Sequence, residues 1–155
     1  MKTLVTVFFT ILMLGAVSAF AGSNHKHHHG TNPAIGKPGD PAKITRTIEI
    51  TAVENRFRPS EINVKQGETI RFVVKNEGEK QHEMVIDTMD NLKQHAKLKR
   101  SHPDMKHEEF NLVDVPPGEQ KELIWQFTEG GVIDFACGYP GHFKGMRGKI
   151  NVETK

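Results

Sequence analysis

The sequence has only one cysteine, one tryptophan and one tyrosine among its 155 residues. A single cysteine excludes an intramolecular disulfide framework. The formal net charge of +2 is close to balance, so the composition gives no indication of nucleic-acid binding. A chain of this length is long enough for one domain with a proper core and too short for two ordinary ones.

Long apolar runs are also missing, except at the start of the chain. Lys2 precedes an apolar run over residues 4–17, and Ala19-Phe20-Ala21 forms a small-x-small cleavage signal. This pattern predicts a signal peptide over residues 1–21, a mature chain beginning at Gly22 and a periplasmic location. The alternative is an uncleaved membrane anchor, but the run is short for a spanning helix. We expect no stable membrane insertion of the mature chain.

Residues 22–42 contain almost nothing apolar to bury and are rich in histidine, glycine and proline. This composition predicts a flexible arm. Four histidines within five residues, His25, His27, His28 and His29, are able to gather loosely around Cu(II), Ni(II) or Zn(II). The alternatives are a solvated polar leader or an expression tag, and the interruption by Lys26 argues against a tag.

Apolar and polar residues then alternate in short stretches separated by turn residues, the period expected of half-buried strands. The predicted strands lie near residues 44–52, 57–64, 70–74, 82–86, 110–115, 123–127, 132–136 and 150–152. Seven or eight short strands with this spacing predict an all-β domain over residues 43–155, folded as a Greek-key β-sandwich.

One insert, residues 88–109, departs from this period. Met89, Leu92 and Ala96 follow helical spacing, and Pro103 ends the run, so a short helix near 89–100 is expected. Its start is capped by Asp87 or Thr88. The basic residues Lys93, Lys97, Lys99 and Arg100 are predicted to lie on its exposed faces.

The segment 137–146 carries a thiol, an imidazole and a thioether on one short loop, Cys137, His142 and Met146, spaced C-x4-H-x3-M. In an oxidising compartment a lone thiol is vulnerable unless it is buried or holds a metal. The alternative is that Cys137 is a small buried hydrophobe. Thiolate, imidazole and a weak thioether suit copper, and a blue-copper site has two histidines, a cysteine and a long axial methionine.

The second histidine must come from elsewhere, and His82 at the start of a predicted strand is the candidate. Its rivals, His95, His102 and His107, lie in the charged insert. Zinc would also accept one cysteine and two histidines, whereas the methionine favours copper. A dicopper centre with two thiolates from one chain is excluded. The insert residues Met89, His95, His102, Met105 and His107 are either an ordinary solvated segment or an auxiliary copper site.

These residues resemble the cupredoxin family, whose members are small β-sandwiches that hold one type 1 copper. The resemblance covers roughly residues 44–152, and its loop spacing is more like the azurin pattern than the shorter plastocyanin one. It implies that His82, Cys137, His142 and Met146 are the copper ligands. The long charged insert and the histidine-rich arm depart from a minimal member.

Two functions agree with these observations. The first is a periplasmic electron carrier that exchanges single electrons with a redox protein through the exposed edge of an imidazole, His142. The second is a copper tolerance or homeostasis protein that binds excess copper at the same site and more weakly in its histidine-rich segments, or delivers it to a copper-handling protein. An enzyme is not expected, because the repeated His-x-His pairs of multicopper enzymes are missing. A monomer is expected.

Overall fold

The strands of this protein form two five-stranded sheets that pack face to face. The computed structural model describes residues 32, 34–103 and 109–154. Within them the strands are β1 (Lys37–Pro38), β2 (Arg46–Val53), β3 (Arg56–Arg58), β4 (Glu61–Lys65), β5 (Thr69–Asn76), β6 (His82–Asp87), β7 (Leu112–Val115), β8 (Gln120–Gln126), β9 (Gly131–Ala136) and β10 (Arg147–Glu153). A 3-10 turn covers Pro41–Lys43, and the helix α1 covers Met89–Ser101.

The two sheets have the orders β1-β8-β5-β2-β3 and β4-β10-β9-β6-β7. Most neighbours are antiparallel, but β2 pairs with β5, and β4 with β10, in parallel. The inward side chains of both sheets form the core, with Phe72, Phe127 and Phe135 fully buried. The all-β sandwich and the helical insert are confirmed, and two very short strands, β1 and β3, raise the number of strands among the described residues to ten.

The folded domain begins earlier than residue 43. Strand β1 pairs with β8, Ile35 is buried, and the Trp125 indole N–H donates to the Ile35 carbonyl. The described end of the predicted arm, 34–42, therefore lies against the sandwich. The predicted signal peptide and the histidines of the arm fall outside the described residues and stay predictions.

The predicted helix is present and slightly longer than expected. The Thr88 hydroxyl accepts from the Asn91 amide at its start, and the helix ends before Pro103. Leu92 packs with Val85 of β6 and Ala136 of β9, so the helix covers the outer face of the second sheet. No helix among the described residues is long and apolar enough to cross a membrane.

One prediction for the helix is wrong. Lys99 is not on an exposed face: only 3% of its surface is accessible. It follows Leu92 and Ala96 at helical spacing, and all three lie on the side that meets the sheet. The physical reason for burying its charge is a carboxylate beneath the helix, Glu83.

Candidate metal centre

The loop between β9 and β10 is closed by backbone hydrogen bonds. Strand β9 ends at Ala136, which pairs with Arg147 at the start of β10. The Cys137 N–H donates to the Met146 carbonyl at 3.0 Å, and the Met146 N–H donates to the His142 carbonyl at 2.9 Å. The strand pairing and these two hydrogen bonds thus fix the positions at which Cys137 and Met146 leave the sheet.

Strand β6 places the His82 side chain at the same end of the sandwich as the loop. The possible ligand atoms of His82, Cys137 and His142 all lie within 4.8 Å of one another, and all three residues are buried. The Cys137 sulfur is 3.5 Å from Nδ1 of His142, and the His82 and His142 rings are 4.9 Å apart between centroids. The structure therefore brings together residues separated by more than fifty positions in the sequence.

The residues present fit a metal better than they fit a hydrophobic core. Neither Nδ1 nor Nε2 of His82 has a hydrogen-bond partner among the described residues, although the ring is fully buried. A buried polar atom without a partner is costly and rare in folded proteins. Two imidazoles and one thiol facing each other form a donor set for a transition metal, and a bound ion would satisfy one of the two unpaired nitrogens of His82.

Burial sets the protonation states of these three groups. It raises the pKa of the Cys137 thiol to about 12. It also lowers the pKa of His82, with a further contribution from His142, and lowers the pKa of His142, with a further contribution from Lys80. The metal-free site thus holds a neutral thiol and neutral rings near pH 7, so metal binding must displace the thiol proton.

The two rings differ in their access to solvent. His82 has no accessible surface, whereas His142 retains 7% and lies on the loop beside exposed Pro140 and Gly141. His142 is therefore the predicted ligand that retains some contact with solvent. Met146 is fully buried in the same core cluster as Cys137. Its backbone joins it to both Cys137 and His142, and its role as the axial ligand stays a prediction.

The other candidate histidines are placed elsewhere. His102 is exposed at the end of α1. His95 hydrogen-bonds through Nε2 to the Glu83 carboxylate at 2.7 Å. Among the described residues the metal-type cluster contains neither of them. Met105 and His107 fall outside the described residues, so the predicted auxiliary copper site is not tested there.

Sequence reasoning missed the support beneath the loop, which is built on Glu83. Its carboxylate is fully buried, accepts from the Gly138 N–H at 3.0 Å and lies 3.2 Å from the Lys99 ammonium. Burial alone would raise the pKa of Glu83, but the hydrogen bond and charge of His95 and the charge of Lys99 outweigh it, so the pKa is lowered. The signal was present in the helix, because Lys99 continues the apolar stripe of Leu92 and Ala96.

Comparisons with known proteins agree with this geometry. The model of the cupredoxin-like domain matches residues 10–152. The copper-resistant cuproprotein CopI of Rubrivivax gelatinosus is 44% identical over 137 residues, covering 87% of this chain and 81% of that protein. The protein of the same name from Pseudomonas aeruginosa is 33% identical and covers 93% and 94% of the two chains.

Solved structures show the same fold at lower identity. Reduced auracyanin from Roseiflexus castenholzii has a TM-score of 0.60 and 24% identity, with 71% of this chain and 98% of that chain covered. An azurin from Methylomonas sp. strain J has a TM-score of 0.56 and 18% identity, with 70% and 98% covered. The sandwich, the donor set that suits copper and the extent of these matches lead to one conclusion: the chain belongs to the cupredoxin-like family, with copper as its cofactor.

Proposed function

We propose that this protein binds one type 1 copper through His82, Cys137 and His142, with Met146 as the axial ligand, and that it serves in copper tolerance. The observation that carries the proposal is the buried His82 ring, whose two nitrogens lack partners among the described residues while it faces a buried thiol and a second imidazole. Bound copper would supply a centre that accepts and releases one electron.

Tolerance is supported by the relatives. Three relatives, whose matches cover between 87% and 93% of this chain, all carry the name copper-resistant cuproprotein. The predicted signal peptide and arm extend this proposal: a periplasmic protein would meet excess copper at the cell boundary, and the histidines of the arm would add weak sites. A copper-handling protein is then the expected partner.

Electron transfer is the second candidate, favoured by the remaining solvent access of His142. The backbone hydrogen bonds of the loop and the second sheet hold the ligand side chains in the metal-free chain, so little rearrangement is expected between Cu(I) and Cu(II). His142, which retains 7% of its surface in contact with solvent, would be the contact for a redox protein partner. In either case the proposed role is binding or electron exchange by a monomer and not catalysis.

The binding part is tested by titrating the mature protein, from Gly22 onward, with Cu(II). We expect an intense thiolate-to-copper absorption band that saturates at one equivalent and is lost in Cys137→Ser. Loss or strong weakening of the band is also expected in His82→Gln, whereas His102→Gln, an exposed histidine outside the cluster, should match the wild type. A wild-type protein without the band would overturn the proposed site.

The tolerance part is tested by growth in excess copper. A host lacking its own copper tolerance is complemented with the wild type, Cys137→Ser or His102→Gln. We expect wild type and His102→Gln to restore growth and Cys137→Ser to fail. If Cys137→Ser restores growth equally, the cluster is not the source of tolerance. Electron transfer is then assessed by the rate at which the copper-loaded protein exchanges electrons with itself.

A further inference from the structure

The contacts of Glu83 join the helical insert to the metal-binding loop. Glu83 is adjacent to His82 in β6 but points to the opposite face of the strand, towards α1. One carboxylate oxygen, Oε1, accepts from the Gly138 N–H at 3.0 Å and from His95 Nε2 at 2.7 Å. The other, Oε2, lies 3.2 Å from the Lys99 ammonium as an ion pair.

Lys99 and His95, the two helix residues that contact the Glu83 carboxylate, are also nearly inaccessible to solvent. The side chain of Lys99 is 4% accessible and that of His95 is 9% accessible, while the Glu83 side chain has no accessible surface. A buried carboxylate is tolerated only when charge and hydrogen bonds compensate it. Lys99 supplies the positive charge, and His95 and Gly138 supply hydrogen bonds.

Gly138 fits closely between the helix and the strand. A Cβ atom at this position would clash with Cδ2 of His95 and lie 2.7 Å from Oε1 of Glu83. The residue directly after Cys137 is therefore pressed against both groups, and only a glycine allows this approach. The helix thus contacts the loop at the point where the cysteine leaves β9.

Lys99 also reaches the next residue of the loop. Its ammonium lies 4.3 Å from the centroid of the Tyr139 ring, a cation–π distance. The Tyr139 hydroxyl donates to the Asp114 carboxylate at 3.0 Å, and the Gln81 amide donates to the same oxygen at 2.8 Å. Tyr139 is therefore held from the helix on one side and from β7 on the other.

We propose that α1 is a positioning element of the metal centre: Lys99 and His95 fix the Glu83 carboxylate against the Gly138 amide and so set the path of the loop at Cys137. The inference deepens the copper function proposed above and assigns the long insert a task. Lys99 and His95 are positioning residues, since they act on Cys137 through Glu83 and Gly138.

The first test uses the metal-free protein and therefore does not depend on copper. Lys99→Met removes the charge partner of Glu83, and Lys97→Met is the matched control, because Lys97 is exposed on the same helix. We expect the Gly138 amide to exchange hydrogen at least about tenfold faster in Lys99→Met relative to core amides such as that of Phe135. Lys97→Met and the charge-conserving Lys99→Arg should retain the wild-type ratio.

The second test uses the copper-loaded protein. We expect Lys99→Met to shift the thiolate-to-copper band and to release copper to a chelator at least about tenfold faster, with Lys99→Arg close to the wild type. If Lys99→Met does not fold, His95→Leu replaces it, because it keeps the ion pair of Glu83 with Lys99 and removes the hydrogen bond from His95 to Glu83. For His95→Leu we expect Gly138 exchange to be at least about threefold faster.

The outcomes separate this inference from the proposed function. If hydrogen exchange becomes faster by the same factor at all amides, while the thiolate-to-copper band and the rate of copper release stay unchanged, the helix only stabilises the domain. The inference would then be wrong. A wild type without a thiolate-to-copper band would overturn the copper function, while the exchange of Gly138 would still report whether the helix holds the loop.

Discussion

At the scale of single residues, the metal centre depends on two buried rings that remain neutral. His82 has no hydrogen-bond partner among the described residues, and burial lowers the pKa of both His82 and His142. In the unfolded chain both rings return to the ordinary pKa of about 6.5. Protons therefore bind the unfolded chain first as the pH falls, and they compete with metal for the same nitrogens.

This gives a prediction for the pH dependence of stability. Well above pH 6.5 both the folded and the unfolded chain hold neutral rings, so the free energy of unfolding does not change with pH through these two histidines. As the pH falls through about 6.5, the unfolded chain takes up protons first, and the metal-free protein should lose stability. Each histidine contributes at most about 1.4 kcal/mol per pH unit. Chemical unfolding between pH 7.5 and 5 measures the slope. We expect His82→Gln to have a smaller slope than the wild type; an equal slope would contradict the argument.

At the scale of elements, the loop between β9 and β10 could be predicted because its information is local. Cys137, His142 and Met146 lie within ten positions, and turn residues and strands flank them. The alternation of apolar residues similarly predicted most strands, and the spacing of Met89, Leu92 and Ala96 predicted α1. His82 was predicted only because the donor set lacked a second imidazole, and the structure places it beside Cys137 and His142.

The sequence signalled the support beneath the loop only through the position of Lys99 on the apolar stripe of α1, because the rest depends on which face of β6 the helix covers. Alternation marks Glu83 as facing away from the core, a direction that ordinarily means solvent. Lysine is similarly expected to be exposed. Only the packing of α1 over β6 and β9 makes both residues buried, and that packing is set by contacts far apart in the sequence.

The packing of α1 leads to a second prediction. Leu92 is 1% accessible against Val85 and Ala136, so Leu92→Ala should lower the free energy of unfolding by about 2–5 kcal/mol. Leu98, which is 40% accessible on the same helix, is the control, and Leu98→Ala should change the free energy of unfolding by only about 0.5 kcal/mol. Urea unfolding of the metal-free protein measures both. Similar values for the two variants would mean that the helix does not pack as described.

At the scale of the whole molecule, the arm joins the sandwich at the end opposite the metal centre. Strand β1 pairs with the end of β8, through Lys37 with Gln126 and Pro38 with Trp125. Strand β8 starts near Asn76, close to the segment that leads into His82. Six residue steps along β8 correspond to about 20 Å. The part of the arm that the structure describes thus meets the sandwich far from the loop site.

A truncation tests this separation. Deleting residues 23–31 from the mature protein should leave the thiolate-to-copper band and its one-equivalent saturation unchanged, while weaker copper uptake decreases. A deletion that continues through Gly39 should also lower the melting temperature, because it removes Ile35 and β1 from Trp125. Spectrophotometric titration and thermal unfolding measure the two effects. A band altered by the shorter deletion would place the arm at the loop site.

Strand β10 lies inside the second sheet, between β4 and β9. Asn63 and Asn151, paired across β4 and β10, are 88 residues apart, so the sheet forms only when most of the chain is available. Such distant pairing makes folding slow, and until β10 arrives the edges of β4 and β9 are open to wrong pairing. The loop between β9 and β10 is not held by paired strands on both sides before that step. Copper capture is therefore expected to follow folding and not to guide it.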